Sequence, residues 1–122
     1  VKSSLDEKLV EKYPMLFKHR YGNMITTAMC WGFECGDGWY DLLDKLCQCI
    51  TEHAISHGLD VTAVQVKEKY GSLRFYMFGA DDTIDEMVDR AEILSAYICE
   101  VCGKPGEMGG TGWYSVRCDE HA

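Results

Sequence analysis

The sequence predicts an α+β fold: three helices, a small antiparallel sheet centred on a β-hairpin, and a C-terminal lobe resembling a zinc knuckle or ribbon. Three observations carry this expectation. Apolar residues recur at the helical period from Trp39 to Ala54 and again from Ile84 to Ile98. Between those stretches, residues 60–79 hold two β-rich runs separated by a glycine. After the last helix come Cys99-x2-Cys102 and, fifteen residues later, Cys118-x2-His121. A chain of 122 residues has the size of one domain. It divides into an α+β core, 1–98, and a zinc-binding lobe, 99–122, packed on that core as one structural unit.

The first helix follows from Ser4-Leu5-Asp6-Glu7, which has the form of a capping box. Leu5, Leu9, Val10 and Tyr13 continue at helical spacing, and Pro14 ends the element. Residues 22–36, around Ile25 to Trp31, are expected to hold a short strand. Gly36-Asp37-Gly38 breaks the chain, with Asp37 as the N-cap of the second helix. Trp39, Leu42, Leu43, Leu46, Ile50 and Ala54 form its buried stripe, and Gly58 supplies the C-terminal stop. Cys47 and Cys49, two apart on that helix, point in different directions and cannot readily grip one ion. With Cys30 and Cys35 they read as small buried apolar residues. His53 and His57 lack the H-E-x-x-H order of a zinc protease and read as packed or helix-terminal histidines.

Val61–Val66 and Leu73–Phe78 are the hairpin strands, joined by Gly71-Ser72 as a type II′ turn. Val64 and Val66 should be buried with Leu73, Phe75 and Met77. Lys67, Lys69, Tyr70, Arg74, Tyr76 and Phe78 should then face outward. The third helix is capped by Asp82 or Thr83, with Thr83-x-x-Glu86 as a second capping box. Its apolar face is Ile84, Met87, Val88, Ala91, Leu94 and Ile98. Asp82, Asp85, Glu86 and Asp89 lie on the opposite side. Residues 81–92 carry six acids and one Arg, so that side suits a basic partner. Residues 107–112 read as a loop, and 113–117 as strand-like.

The cysteine spacing points to metal. A two-residue gap lets a tight turn aim both side chains at one ion, and Gly103 supplies the positive φ such a turn needs. Cys99, Cys102, Cys118 and His121 make a closed Cys3His set, the coordination of structural zinc. A catalytic zinc would keep an open position, and an iron–sulfur cluster would want four thiolates. The deaminase pattern of H-x-E with P-C-x-x-C is absent from the sequence.

Charge bounds the partner. Twelve Lys and Arg against 20 Asp and Glu give a net charge of −8, which opposes generic binding to a nucleic-acid backbone. No apolar run approaches the ~20 residues of a membrane span. The first residues are charged and show no secretory signal. Seven cysteines cannot all pair within one chain, so reduced thiols and a cytoplasmic location are expected.

Cys35-Gly-Asp-Gly-Trp-Tyr-Asp-Leu-Leu43, Val66-Lys-Glu-Lys-Tyr-Gly-Ser-Leu-Arg-Phe-Tyr76, and Cys99-Glu-Val-Cys-Gly-Lys-Pro-Gly106 with Cys118-Asp-Glu-His121 occur together. In this the chain resembles a group of small uncharacterised bacteriophage, prophage and bacterial proteins, over residues 31–122. The resemblance implies a phage-associated protein of the host cytoplasm and supports the zinc quartet as a unit, but it carries no catalytic residues. It suggests a non-enzymatic zinc-containing module that binds a host protein, such as a defence factor. Candidate contact residues are Asp82, Asp85, Glu86, Asp89, Tyr70, Arg74 and Tyr76. The alternative is a nucleic-acid-binding zinc protein using the 66–78 hairpin, with Lys67, Lys69, Arg74 and Arg117. For an enzyme, Asp37, Asp41, Asp44, His53 and His57 would have to share a cleft, and helical phase sends them to different faces.

Overall fold

Helix α1 runs Ser3–Lys12 and stops before Pro14 in the computed structural model, which describes residues 3–18, 32–110 and 114–122. Ser4 therefore lies inside the first turn rather than capping it. Leu9 and Tyr13 are buried, and the turn after the helix sends Leu16 and Phe17 into the same core. Phe17 meets Phe33 edge-on at 4.9 Å and Phe75 at 6.4 Å, so this segment packs on the sheet. Its backbone joins in too, with the Ala63 N–H donating to the Leu16 carbonyl at 2.9 Å.

The expected strand in 22–36 is seen only at its end, as β1, Phe33–Glu34; residues 22–31 lie outside the described residues. β1 pairs in parallel with β2, Thr62–Lys69, which pairs antiparallel with β3, Ser72–Phe78. The hairpin is thus flanked by a parallel strand, and the sheet is mixed, in the order β1-β2-β3. A parallel pair needs a long crossover, which helix α2, Tyr40–His57, provides. α2 buries Leu43, Leu46, Cys47, Ile50 and Ala54, and Gly58 ends it in the left-handed region at φ 64°.

The hairpin turn sits one residue earlier than the sequence predicts. Lys69 pairs with Ser72, and Tyr70 and Gly71 have φ of 54° and 85°, the sign pattern of a type I′ turn rather than II′. The Glu68 carboxylate accepts from the Gly71 N–H at 2.7 Å and steadies this register. Strict alternation also fails in β2. The register shifts between Ala63 and Gln65, so Ala63 and Val66 are both buried while Val64 is only half-buried.

Helix α3, Asp82–Ser95, is capped by Asp81, whose Oδ1 accepts from the Ile84 N–H at 2.9 Å; neither Asp82 nor Thr83 takes that role. Its buried stripe is Ile84, Val88, Ala91 and Ser95. Leu94, expected in the core, is 53% exposed, because the helix ends at Ser95 and its core-facing stripe passes through Ala91 and Ser95 instead. Ser95 has a specific task. The Leu73 N–H donates to its Oγ at 2.8 Å, and the Phe75 N–H donates to Glu92 Oε2 at 3.1 Å. Helix α3 thereby covers the open edge of β3, which would otherwise present unpaired backbone donors. Ser95→Ala should cost about 1–3 kcal/mol in a denaturant melt, because it strands the Leu73 N–H in the interior.

The C-terminal lobe holds a second hairpin, β4 Glu107–Gly109 and β5 Ser115–Arg117, paired from Glu107↔Arg117 to Gly109↔Ser115. Part of the stretch expected to be loop is therefore strand, while residues 111–113 lie outside the described residues. No helix among the described residues is long and apolar enough to cross a membrane.

Candidate metal centre

The first jaw is built by the chain leaving α3. The Cys99 N–H donates to the Lys104 carbonyl at 2.7 Å, and the Gly103 N–H donates back to the Cys99 carbonyl at 2.9 Å. That closes a loop which only a left-handed residue can finish, and Gly103 has φ 84° as its position in the motif predicts. The second jaw follows β5. The His121 N–H donates to the Cys118 carbonyl at 3.0 Å, which turns the imidazole back over the sulfur. One backbone bond, Glu100 N–H to the Val116 carbonyl at 3.1 Å, aligns the two jaws.

The ligand atoms of Cys99, Cys102, Cys118 and His121 all lie within 4.8 Å of one another. Cys102 and Cys118 sulfurs are 3.6 Å apart, and His121 Nδ1 is 3.7 Å from Cys99 Sγ and 3.1 Å from Cys118 Sγ. A tetrahedron with metal–sulfur bonds of about 2.3 Å has sulfur–sulfur edges of about 3.8 Å. The quartet could thus hold one metal ion with little movement. Cys99 and Cys118 are buried and Cys102 is exposed. Burial works to raise the Cys99 thiol, but backbone N–H groups of Cys118, Cys102 and Val101 outweigh it and hold the thiol down at about 6. At Cys102 the Lys104 N–H pulls down, yet burial and the neighbouring sulfurs of Cys118 and Cys99 leave it raised. Cys99 is thus favoured as a thiolate while Cys102 resists charge beside its neighbouring sulfurs, a repulsion that a divalent cation would offset.

What holds the jaw against the core is the Gly36-Asp37-Gly38-Trp39 segment. It forms a short 3-10 turn, so Asp37 does not cap α2; Trp39 occupies the cap position, with no side-chain cap bond. The backbone donors go elsewhere. Gly38 N–H donates to the Glu100 carbonyl at 2.7 Å, and Gly36 N–H to Glu100 Oε2 at 2.8 Å. Trp39, fully buried, donates its indole N–H to the Ile98 carbonyl at 3.0 Å. A Cβ on Gly38 would stand 2.1 Å from the Cys99 carbonyl oxygen, and one on Gly36 would stand 2.3 Å from that of Glu100. Sequence reasoning missed Glu100 and this docking. The signal available was two glycines around Asp37 followed by Trp, which equally describes a helix start.

The other candidates are dispersed. Asp82, Asp85, Glu86 and Asp89 are exposed along α3. Arg74 and Tyr76 alternate with the buried Leu73 and Phe75, so they belong to the sheet face away from the core, and Tyr70 lies at the hairpin tip. Arg74 reaches Glu92 at 3.9 Å. Arg74 and Asp89 thus border one groove beside α3, while Tyr70 at the hairpin tip is not among that groove's lining residues. Asp44 is held near α1 by Lys12 at 2.8 Å and the Tyr13 hydroxyl at 2.7 Å. Nine residues further along α2, about 13 Å away, His53 Nε2 lies 2.7 Å from Asp81 Oδ2 and its ring stacks on His57 at 4.1 Å. The hydrogen bond from His53, together with the Ile84 N–H, keeps the Asp81 carboxyl below its ordinary value.

Cys35 and Cys47 are buried, and burial pushes Cys35 to about 12 and Cys47 well up. Cys49 is exposed, contrary to expectation, because the two-residue step that buries Cys47 turns Cys49 to solvent. Cys30 lies outside the described residues. Brief iodoacetamide treatment of the native protein, read by peptide mass spectrometry, should alkylate Cys49 and spare Cys47. No family model, curated protein or solved structure matches the chain.

Proposed function

We propose that Cys99, Cys102, Cys118 and His121 hold one structural zinc ion, and that the chain is a non-enzymatic protein-interaction module of the host cytoplasm, a phage-associated accessory protein that binds a host protein. One observation carries the zinc reading. Four soft and borderline donors converge at near-tetrahedral separations and leave no position for a substrate or an activated water. The interaction reading rests on how the jaws are used. The first jaw is fastened to the buried Trp39 and to the start of α2, and the second is tied to the first through Glu100 and Val116, so the lobe is seated on the core as a surface element. The polar residues that could serve an enzyme are engaged apart from one another: Asp44 with Lys12 and Tyr13, His53 with Asp81. The hairpin favours the nucleic-acid alternative less. Arg74 faces Glu92, Lys69 lies over the Tyr70 ring, and the net charge is −8.

Metal analysis of protein purified without added metal should return one zinc per chain. Affinity purification of the tagged protein from host cells, with mass spectrometry, should return a stoichiometric partner. A metal-free, fully folded protein would overturn the first statement. Repeated recovery of no partner, or low-salt retention of RNA or DNA in a gel shift, would overturn the second.

A further inference from the structure

We infer that the outer side of α3, with the groove beside its C-terminal end, docks a basic amphipathic helical segment of a partner protein; this rests on the reading of the chain as an interaction module. Helix α3 and the turn that follows it leave apolar residues uncovered. Ile93 is 64% exposed, Leu94 53% and Tyr97 66%, and Met108 of β4 is 41% exposed nearby. Ile93, Ala96, Tyr97 and Met108 line an open groove of about 550 Å³ between α3 and the hairpin, with Asp89, the Glu92–Arg74 pair and Ser72 at its side.

Charge selects the occupant. Asp82, Glu86, Asp89 and Ile93 follow one another at steps of three and four residues along α3, and Tyr97 follows in the turn just beyond its end, so acid passes into apolar toward the groove. Asp85 stands beside this stripe. None of Asp82, Asp85, Glu86 and Asp89 takes part in an ion pair among the described residues, and the nearby Arg74 already faces Glu92. A second copy would set the same acids against each other, and an anionic lipid surface would be repelled as well. A segment with lysines or arginines followed by large apolar residues satisfies both halves of the stripe. The edge of β3 beside the groove is closed to strand addition, because Ser95 and Glu92 already take the Leu73 and Phe75 donors. A helix lying along α3, anchored by apolar residues at i, i+3 and i+4, is the form that remains.

The probe is a labelled peptide of about five helical turns, built of Leu and Lys at amphipathic spacing. It is titrated by fluorescence anisotropy against the metal-loaded full chain at low salt. Binding is expected to weaken about tenfold or more in Ile93→Ser/Tyr97→Ser, and likewise in Asp85→Asn/Asp89→Asn. Glu7→Gln/Glu11→Gln, which removes the same charge from exposed positions on α1, should leave it unchanged. A Leu and Glu peptide should not bind. Equal loss in the α1 variant would mean unspecific attraction and would overturn the proposal. So would undiminished binding by the α3 variants, or a dimer in sedimentation that those variants dissolve. A host partner still captured by both α3 variants would sink this surface while leaving the interaction-module reading standing.

Discussion

Cys102→Ser is expected to lose stoichiometric zinc and to loosen the C-terminal lobe. A structural zinc contributes on the order of 10 kcal/mol or more to ordering the segment that binds it. Removing one of four ligands opens the shell and withdraws much of that. Residues 99–122 bury few side chains of their own; Cys99, Val116 and Cys118 are the buried ones among the described residues. Without the ion, the jaws are joined through the Glu100 to Val116 backbone bond with no metal to draw the sulfurs and the imidazole together. Amide exchange over residues 99–106 should rise steeply, while α2 and the hairpin should retain protection, since their core of Leu43, Ile50, Val66 and Phe75 lies apart from the quartet. Chelation of the wild-type protein should reproduce the effect. Acid should do so as well, because protons compete with metal for the sulfurs and the imidazole. Unchanged zinc content and unchanged melting in Cys102→Ser would reject the assignment.

Gly38→Ala should destabilise the protein without removing the metal. Its new Cβ would meet the Cys99 carbonyl oxygen at 2.1 Å and the Gly103 nitrogen at 2.6 Å, both backbone atoms of the first jaw. Neither can swing aside as a side chain would, so the jaw must lift from the start of α2. Overpacking costs about 1–3 kcal/mol, and the loss of buried hydrogen bonds to Glu100 and Ile98 adds about 1–3 kcal/mol. Together these should lower the melting temperature by roughly 10 °C. Zinc content should stay at one per chain, because all four ligands are untouched. Gly109→Ala is the control, since a Cβ there has no neighbour within 4 Å. A Gly38→Ala protein that melts like wild type would show that the jaw does not rest on this glycine.

The contrast between these variants separates what is local from what is not. The Cys3His quartet is legible in the sequence because each jaw is a short-range device. Two residues between ligands fix the bite, and Gly103 can be placed by counting from Cys102. The helices around Leu43 and Val88 are legible for a related reason, since burial on one face imposes the 3.6-residue period over many positions. Single-residue decisions are less so. Asp81, Asp82 and Thr83 are all acceptable caps, and only the direction of the preceding chain assigns the role to Asp81. Gly71 permits either a II′ turn with Ser72 or a I′ turn with Tyr70, and cross-strand pairing chooses the latter.

The helices, the hairpin and the four candidate metal ligands can thus be read from the residues themselves, because their causes lie within a few residues of their effects. Tertiary structure alone decided that β1 joins β2 in parallel, that Ser95 closes the edge of β3, and that Gly36 and Gly38 seat the metal jaw through Glu100. Those contacts join positions 22 to 64 residues apart. A backbone donor carries no mark in the sequence of the distant acceptor it will meet. The glycines record only that something must come close; the folded chain decides what.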